Sequence, residues 1–132
     1  MENKLIYKLI KFSTQLYFGW VLFIALLTLL PGQAIPDFNW NFLSIDKFIH
    51  FTMFSIMSFL GSVKFSSSTK PKSIIISSII SILIASTYGF ILEYFQTFIP
   101  QRAFDYADLT ANVGGAVFGI AVFLYFQNRF KG

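Results

Sequence analysis

Residues 73–99 read SIIISSIISILIASTYGFILEYFQTFI, with no charged residue before Glu93. At 1.5 Å rise per residue, a helix of roughly 20 apolar residues crosses about 30 Å of hydrocarbon. This stretch is longer than that, and Pro100 stops it. A soluble protein would have to bury such a helix around most of its circumference. The 132-residue chain is too short to do so, being 55% hydrophobic and 12% charged with a mean hydropathy of +0.66. An ordinary soluble domain is about 25% charged. Membrane lipid is therefore the expected solvent, and the expected partner, of the apolar remainder.

Three more segments follow the same rule. FSTQLYFGWVLFIALLTLL at 12–30 stops at Pro31 and Gly32. A second segment at 44–63 begins SIDKFIHFTMF, and a last one at 108–126 ends before Gln127, Asn128 and Arg129. The expected fold class is all-α: an integral membrane bundle of four transmembrane helices, at about 12–30, 44–63, 73–99 and 108–126, in a single domain over 1–132. The connections are short, and there is no internal repeat. The first segment reads as a retained span rather than a cleaved signal. Its apolar run exceeds the ~7–15 residues of a signal core, and GQA-IP is a poor cleavage site.

The bases sort by side. Lys4, Lys8, Lys11, Lys64, Lys70, Lys72, Arg129 and Lys131 fall on one face of a four-span arrangement, and only Lys47 and Arg102 on the other. The positive-inside rule then predicts cytoplasmic termini and outward 1–2 and 3–4 connections. Trp40 and Tyr106 are candidate outer-interface anchors, and Tyr7 and Tyr125 inner ones. Lys4, Lys8 and Lys11 share a stripe suited to anionic lipid. No basic patch on a soluble face points to nucleic acid. The absence of cysteine excludes disulfides, thiolate metal sites and a cysteine nucleophile.

All the acids except Glu2 lie toward the outward half: Asp37, Asp46, Glu93, Asp105 and Asp108. Asp46 and His50 are one turn apart, as are Glu93 and Gln96, and Asp105, Asp108 and Asn112 run i, i+3, i+7. Lipid cannot solvate these stripes, so they should face one another. Arg102 is the expected partner of Glu93. Small residues at Ser73, Ser77, Ser81, Ala85 and Gly89 climb to Glu93, and Gly115 and Gly119 form a GxxxG. Both patterns let membrane helices approach closely. Plainer roles are open to the same groups. Asp105 suits an N-cap with Asp108 at N3, Ser44 suits a cap for the second helix, and Gln96 and Asn112 suit interhelical hydrogen bonds.

With DKFIHF at Asp46–Phe51 and EYFQTFIPQRAFDYADLTANVGGAVFG at Glu93–Gly119, the chain resembles the VanZ-like family of small membrane proteins. The acid, Gln, Arg, Asp, Asp, Asn and Gly spacings carry that resemblance over about Asp46 to Gly119. It implies a multi-pass protein of the bacterial plasma membrane, with a role in resistance to glycopeptide antibiotics, chiefly teicoplanin. No catalytic or ligand residue is transferred with it.

Three function classes fit these residues. The first is a binding module for a lipid-linked cell-wall intermediate or glycopeptide antibiotic, held by Asp46, Lys47, His50, Glu93, Gln96, Arg102, Asp105, Asp108 and Asn112. Arg102 would clamp an anionic group. The second is an intramembrane hydrolase or transferase, with His50 and Glu93 as catalytic candidates. A divalent metal is a candidate cofactor there, because Asp46, Glu93, Asp105 and Asp108 are hard oxygen donors. No zincin motif, phosphate loop or nucleophile elbow accompanies them. The third is a structural protein whose polar groups lock the helices, with Gly89, Gly115 and Gly119 serving packing.

Overall fold

The computed structural model describes residues 8, 10–34, 42–67 and 74–130. Lys4, Tyr7, Asp37, Trp40, Lys70, Lys72, Ser73, Lys131 and the side chain of Ser44 lie outside the described residues. Among the described residues four α-helices form: α1 (Ser13–Thr28), α2 (Phe42–Ser67), α3 (Ile74–Gln96) and α4 (Tyr106–Phe130). A 3₁₀ turn at Gly32–Ala34 follows α1, and no strand occurs among the described residues.

Three helical stretches among the described residues are long and apolar enough to cross a membrane: Ile45–Ser66, Ile74–Gln96 and Tyr106–Arg129. At 16 residues α1 is shorter, about 24 Å by its rise. Helical hydrogen bonding continues ahead of it. Phe12 N–H donates to Lys8 O and Leu16 N–H to Phe12 O, both at 2.9 Å.

Local chemistry accounts for the ends. Helix α3 stops at Gln96, short of Ile99, because the ladder tightens to i→i−3 bonds. Thr97 N–H reaches Tyr94 O, Phe98 N–H reaches Phe95 O, and Ile99 N–H reaches Gln96 O. Pro100 disfavours helical backbone in the residue before it. Gln101 then takes φ 63°, a left-handed conformation uncommon for a residue with a side chain. Helix α4 runs beyond Phe126 because Gln127, Asn128 and Arg129 are polar without being helix breakers.

The closest seam joins α2 to α4. A Cβ on Gly115 would strike the carbonyl oxygen of Phe51, and one on Gly119 that of Ser55. Serines bridge the neighbouring helices. Ser58 Oγ donates to Ala116 O and Ser81 Oγ to Ser58 O, both at 2.7 Å. On α3 the small-residue face is the buried one, at Ser77, Ser81, Ala85, Gly89 and Glu93. Met53, Phe54, Met57, Ile24 and Leu92 fill the core. The outer faces carry Leu22, Leu26, Phe48, Ile75, Leu83 and Phe98, which suit contact with membrane lipid. Tyr106 and Tyr125 are exposed as well.

Side-chain donors fasten α1 to the other helices. Trp20 Nε1 donates to Met53 O at 2.9 Å, and Tyr88 Oη to Val21 O at 2.7 Å. Gln96 Nε2 reaches Thr28 O at 2.8 Å. The ends of α1 and α3 therefore meet where α2 and α4 begin, and every polar stripe arrives at the same end of the molecule.

Candidate functional site

Helix α2 contributes Asp46, Lys47 and His50 to that end. Helix α3 contributes Glu93, and α4 contributes Asp108 and Asn112 with Asp105 just ahead of it. His50, Glu93, Asp108 and Asn112 are buried. Asp46, Lys47 and Asp105 form a partly exposed rim, with side-chain exposures of 31%, 22% and 40%.

Lys47 is the hub. Its Nζ contacts Asp105 Oδ2 at 2.6 Å, pairs with Asp108 Oδ1, and lies 3.4 Å from Asp46 Oδ2. Asp105 has two duties. Its Oδ1 accepts from Ala107 N–H at 2.7 Å, capping α4, while Oδ2 faces Lys47. The hydrogen bond from Lys47 holds the Asp105 carboxyl below its ordinary range. This pair therefore contributes fully above that range and is lost as pH falls through the lowered value.

His50 sits behind the rim. Its Nδ1 lies 2.9 Å from Asn112 Oδ1. An amide oxygen only accepts, so Nδ1 carries a proton. Nε2 faces Asp46 Oδ1 at 3.9 Å and Asp108 Oδ2 at 3.8 Å, beyond hydrogen-bond distance. Glu93 lies on the other edge of the ring, with Oε1 3.9 Å from Nδ1 and Oε2 accepting from Asp105 N–H at 3.3 Å.

Two of the polar groups expected here serve elsewhere. Arg102 does not pair with Glu93. Its Nε donates to Leu30 O at 3.3 Å, just beyond α1. Buried Gln96 likewise reaches Thr28 O. Together they satisfy carbonyls that the end of α1 leaves without helical partners. Of the four carboxylates expected as hard donors, Asp46 and Asp108 converge with His50, their ligand atoms lying within 4.8 Å of one another. Glu93 and Asp105 are turned to the backbone and to Lys47. Gly89 backs onto Asn112, where an added Cβ would lie 3.0 Å from Nδ2. The role of Lys47 as hub was legible only in part, from its place beside Asp46.

Four carboxylates thus face one ammonium and one imidazole. If all four are ionised, three negative charges stand in excess over Lys47. Buried charge at membrane depth is costly unless compensated. A cationic or hydrogen-bond-donating group placed among these carboxylates would offset that excess.

A family model described as VanZ/LLP1 matches residues 4–127 of the chain. No curated protein matches it, and no solved structure does.

Proposed function

The chain belongs to the VanZ-like family, and from that premise we propose that this multi-pass membrane protein binds the polar head of a lipid-linked or antibiotic molecule at the cluster. The observation that carries this reading is a rim of partly exposed charge, Asp46, Lys47 and Asp105, over buried His50, Glu93, Asp108 and Asn112. Apolar helix faces beside the rim leave a tail in lipid while the head meets polar groups. Carboxylates there accept from amines, amides and hydroxyls, all of which occur in glycopeptides and cell-wall intermediates.

The reading includes four spans in a bacterial plasma membrane, cytoplasmic termini and an outward cluster. The sorting of Lys and Arg supports that orientation. It has a direct check, since the chain has no cysteine to remove. Single-cysteine variants Ala103→Cys and Lys70→Cys should react with an impermeant thiol reagent from opposite sides of the membrane. Reaction from the same side would overturn the topology.

Function is tested by teicoplanin and vancomycin susceptibility in a susceptible Gram-positive host. The wild type should raise the inhibitory concentration of teicoplanin several-fold. Glu93→Gln, at matched membrane level, should lose most of that protection, because it keeps the shape of Glu93 and replaces the carboxyl group beside His50 with an amide. No protection by the wild type would remove the resistance role.

One observation favours a second reading, catalysis on a lipid-linked substrate. Asn112 holds His50 with its free nitrogen toward two carboxylates, an arrangement suited to a general acid or base. Turnover of a lipid-linked substrate that His50→Gln abolishes, with folded protein undiminished, would favour it over binding alone.

A further inference from the structure

The aspartates flanking His50 divide their oxygens between two neighbours. Asp46 Oδ2 and Asp108 Oδ1 turn to Lys47, while Asp46 Oδ1 and Asp108 Oδ2 turn to His50 Nε2. Lys47 orients both carboxylates without standing between them and the imidazole. Nε2 belongs to a residue only 4% exposed and makes no hydrogen bond among the described residues. Its partner nitrogen is held by the Asn112 amide oxygen, which turns the Nε2 edge of the ring to the two aspartate oxygens. That is how a histidine ligand is commonly fixed, with the second nitrogen donating to an oxygen behind it.

We propose that Asp46 Oδ1, His50 Nε2 and Asp108 Oδ2 bind one divalent transition-metal ion of the Mn²⁺ or Zn²⁺ class. At bond lengths of about 2.0–2.2 Å, two atoms on one ion lie roughly 3–4 Å apart. The histidine-to-aspartate separations of 3.9 and 3.8 Å fall in that range. The three residues each offer a ligand atom within 4.8 Å of the others, so seating an ion takes at most a small closure. The imidazole sets the class, since Mg²⁺ and Ca²⁺ prefer all-oxygen shells. Charge agrees as well: two positive charges offset most of the excess that Lys47 leaves. Three protein ligands leave coordination positions open, where an oxygen of a bound head group completes the shell. The ion site itself does not rest on the head-group reading.

The test uses the full chain purified in detergent, stripped with a chelator and titrated with MnCl₂ at neutral pH. Paramagnetic resonance should show one Mn²⁺ per chain, with electron spin echo modulation from one directly bound imidazole nitrogen. Excess Mg²⁺ should fail to displace it. His50→Gln should remove the modulation and weaken binding by about ten-fold or more, since losing only the hydrogen-bond partner of a ligand costs 10–100-fold. Asp46→Asn and Asp108→Asn should each weaken binding comparably. The wild-type nitrogen signal keeps the test decisive if a variant fails to fold. No saturable binding, or one-to-one binding without nitrogen modulation, would overturn the site. No head group or antibiotic enters this assay, so its failure and a failure of the susceptibility experiment are distinguishable.

Discussion

Gly119→Ala should destabilise the protein by about 3 kcal/mol, the upper end of over-packing costs, although it adds one methyl group. The new Cβ would overlap the carbonyl oxygen of Ser55 and the hydroxyl of Ser58. A hydroxyl can rotate away, but a helix carbonyl cannot. Helices α2 and α4 must then separate, which also strains the Ser58 Oγ to Ala116 O bond at 2.7 Å. Gly115→Ala meets the carbonyl of Phe51 and should behave alike. Two other glycines give the opposite expectation from the same chemical change. Gly114 would place its Cβ 3.8 Å from the Phe51 ring, an ordinary contact, and Gly19 has nothing within 4 Å. Alanine at those positions should be neutral or stabilising, because glycine costs up to about 1 kcal/mol in a helix interior. Thermal unfolding of the four variants in detergent decides it. Equal melting temperatures across the set would mean that the α2–α4 seam is not the close contact described.

The contrast between Gly114 and Gly115 also marks how far sequence reasoning reaches. Helical periodicity identifies faces. The i+4 ladder from Ser77 to Glu93 picks out residues that are buried together on α3. The i, i+3, i+7 set of Asp105, Asp108 and Asn112 likewise leads to one side of α4. Composition makes the chain helical and apolar enough for a membrane. The identity of each partner lies beyond such patterns. Arg102 is the nearest base to Glu93 along the chain, yet it faces Leu30. Its direction follows from a turn in which Gln101 is left-handed, and no periodic signal encodes that turn. Lys47 sits beside Asp46 in sequence, but its ammonium reaches across to α4. Only the azimuth of α2 against α4, fixed by the glycine seam, brings that about. The site and the seam are thus one design: close approach at Gly115 and Gly119 leads, a few turns away, to carboxylates on a shared cation.

Lys47→Met should cost about 3 kcal/mol, the low end for breaking a buried ion pair, because the ammonium is partly exposed. Methionine keeps the unbranched apolar stem and removes only the charge. Asp105 and Asp108 would then face Asp46 with no ammonium among them. Arg102→Met should cost no more than about 1 kcal/mol, since it removes one long, exposed hydrogen bond to Leu30 O. This ranking reverses the one that pairs Arg102 with Glu93. A double variant tests the cause. Asp105→Asn in the Lys47→Met background should recover part of the loss, although Asp105→Asn alone is destabilising through its lost pairing. The pH response should also change sign. In the wild type, acidification through the lowered Asp105 value removes a favourable pair, so stability falls. In Lys47→Met, mutual repulsion of the carboxylates outweighs the cap that Asp105 gives α4, so acidification that neutralises them raises stability. Melting temperatures of both proteins from neutral to acidic pH measure this directly. Parallel slopes would mean that Lys47 does not hold the cluster together, and that the excess negative charge is compensated by another cation at the same end of the helices.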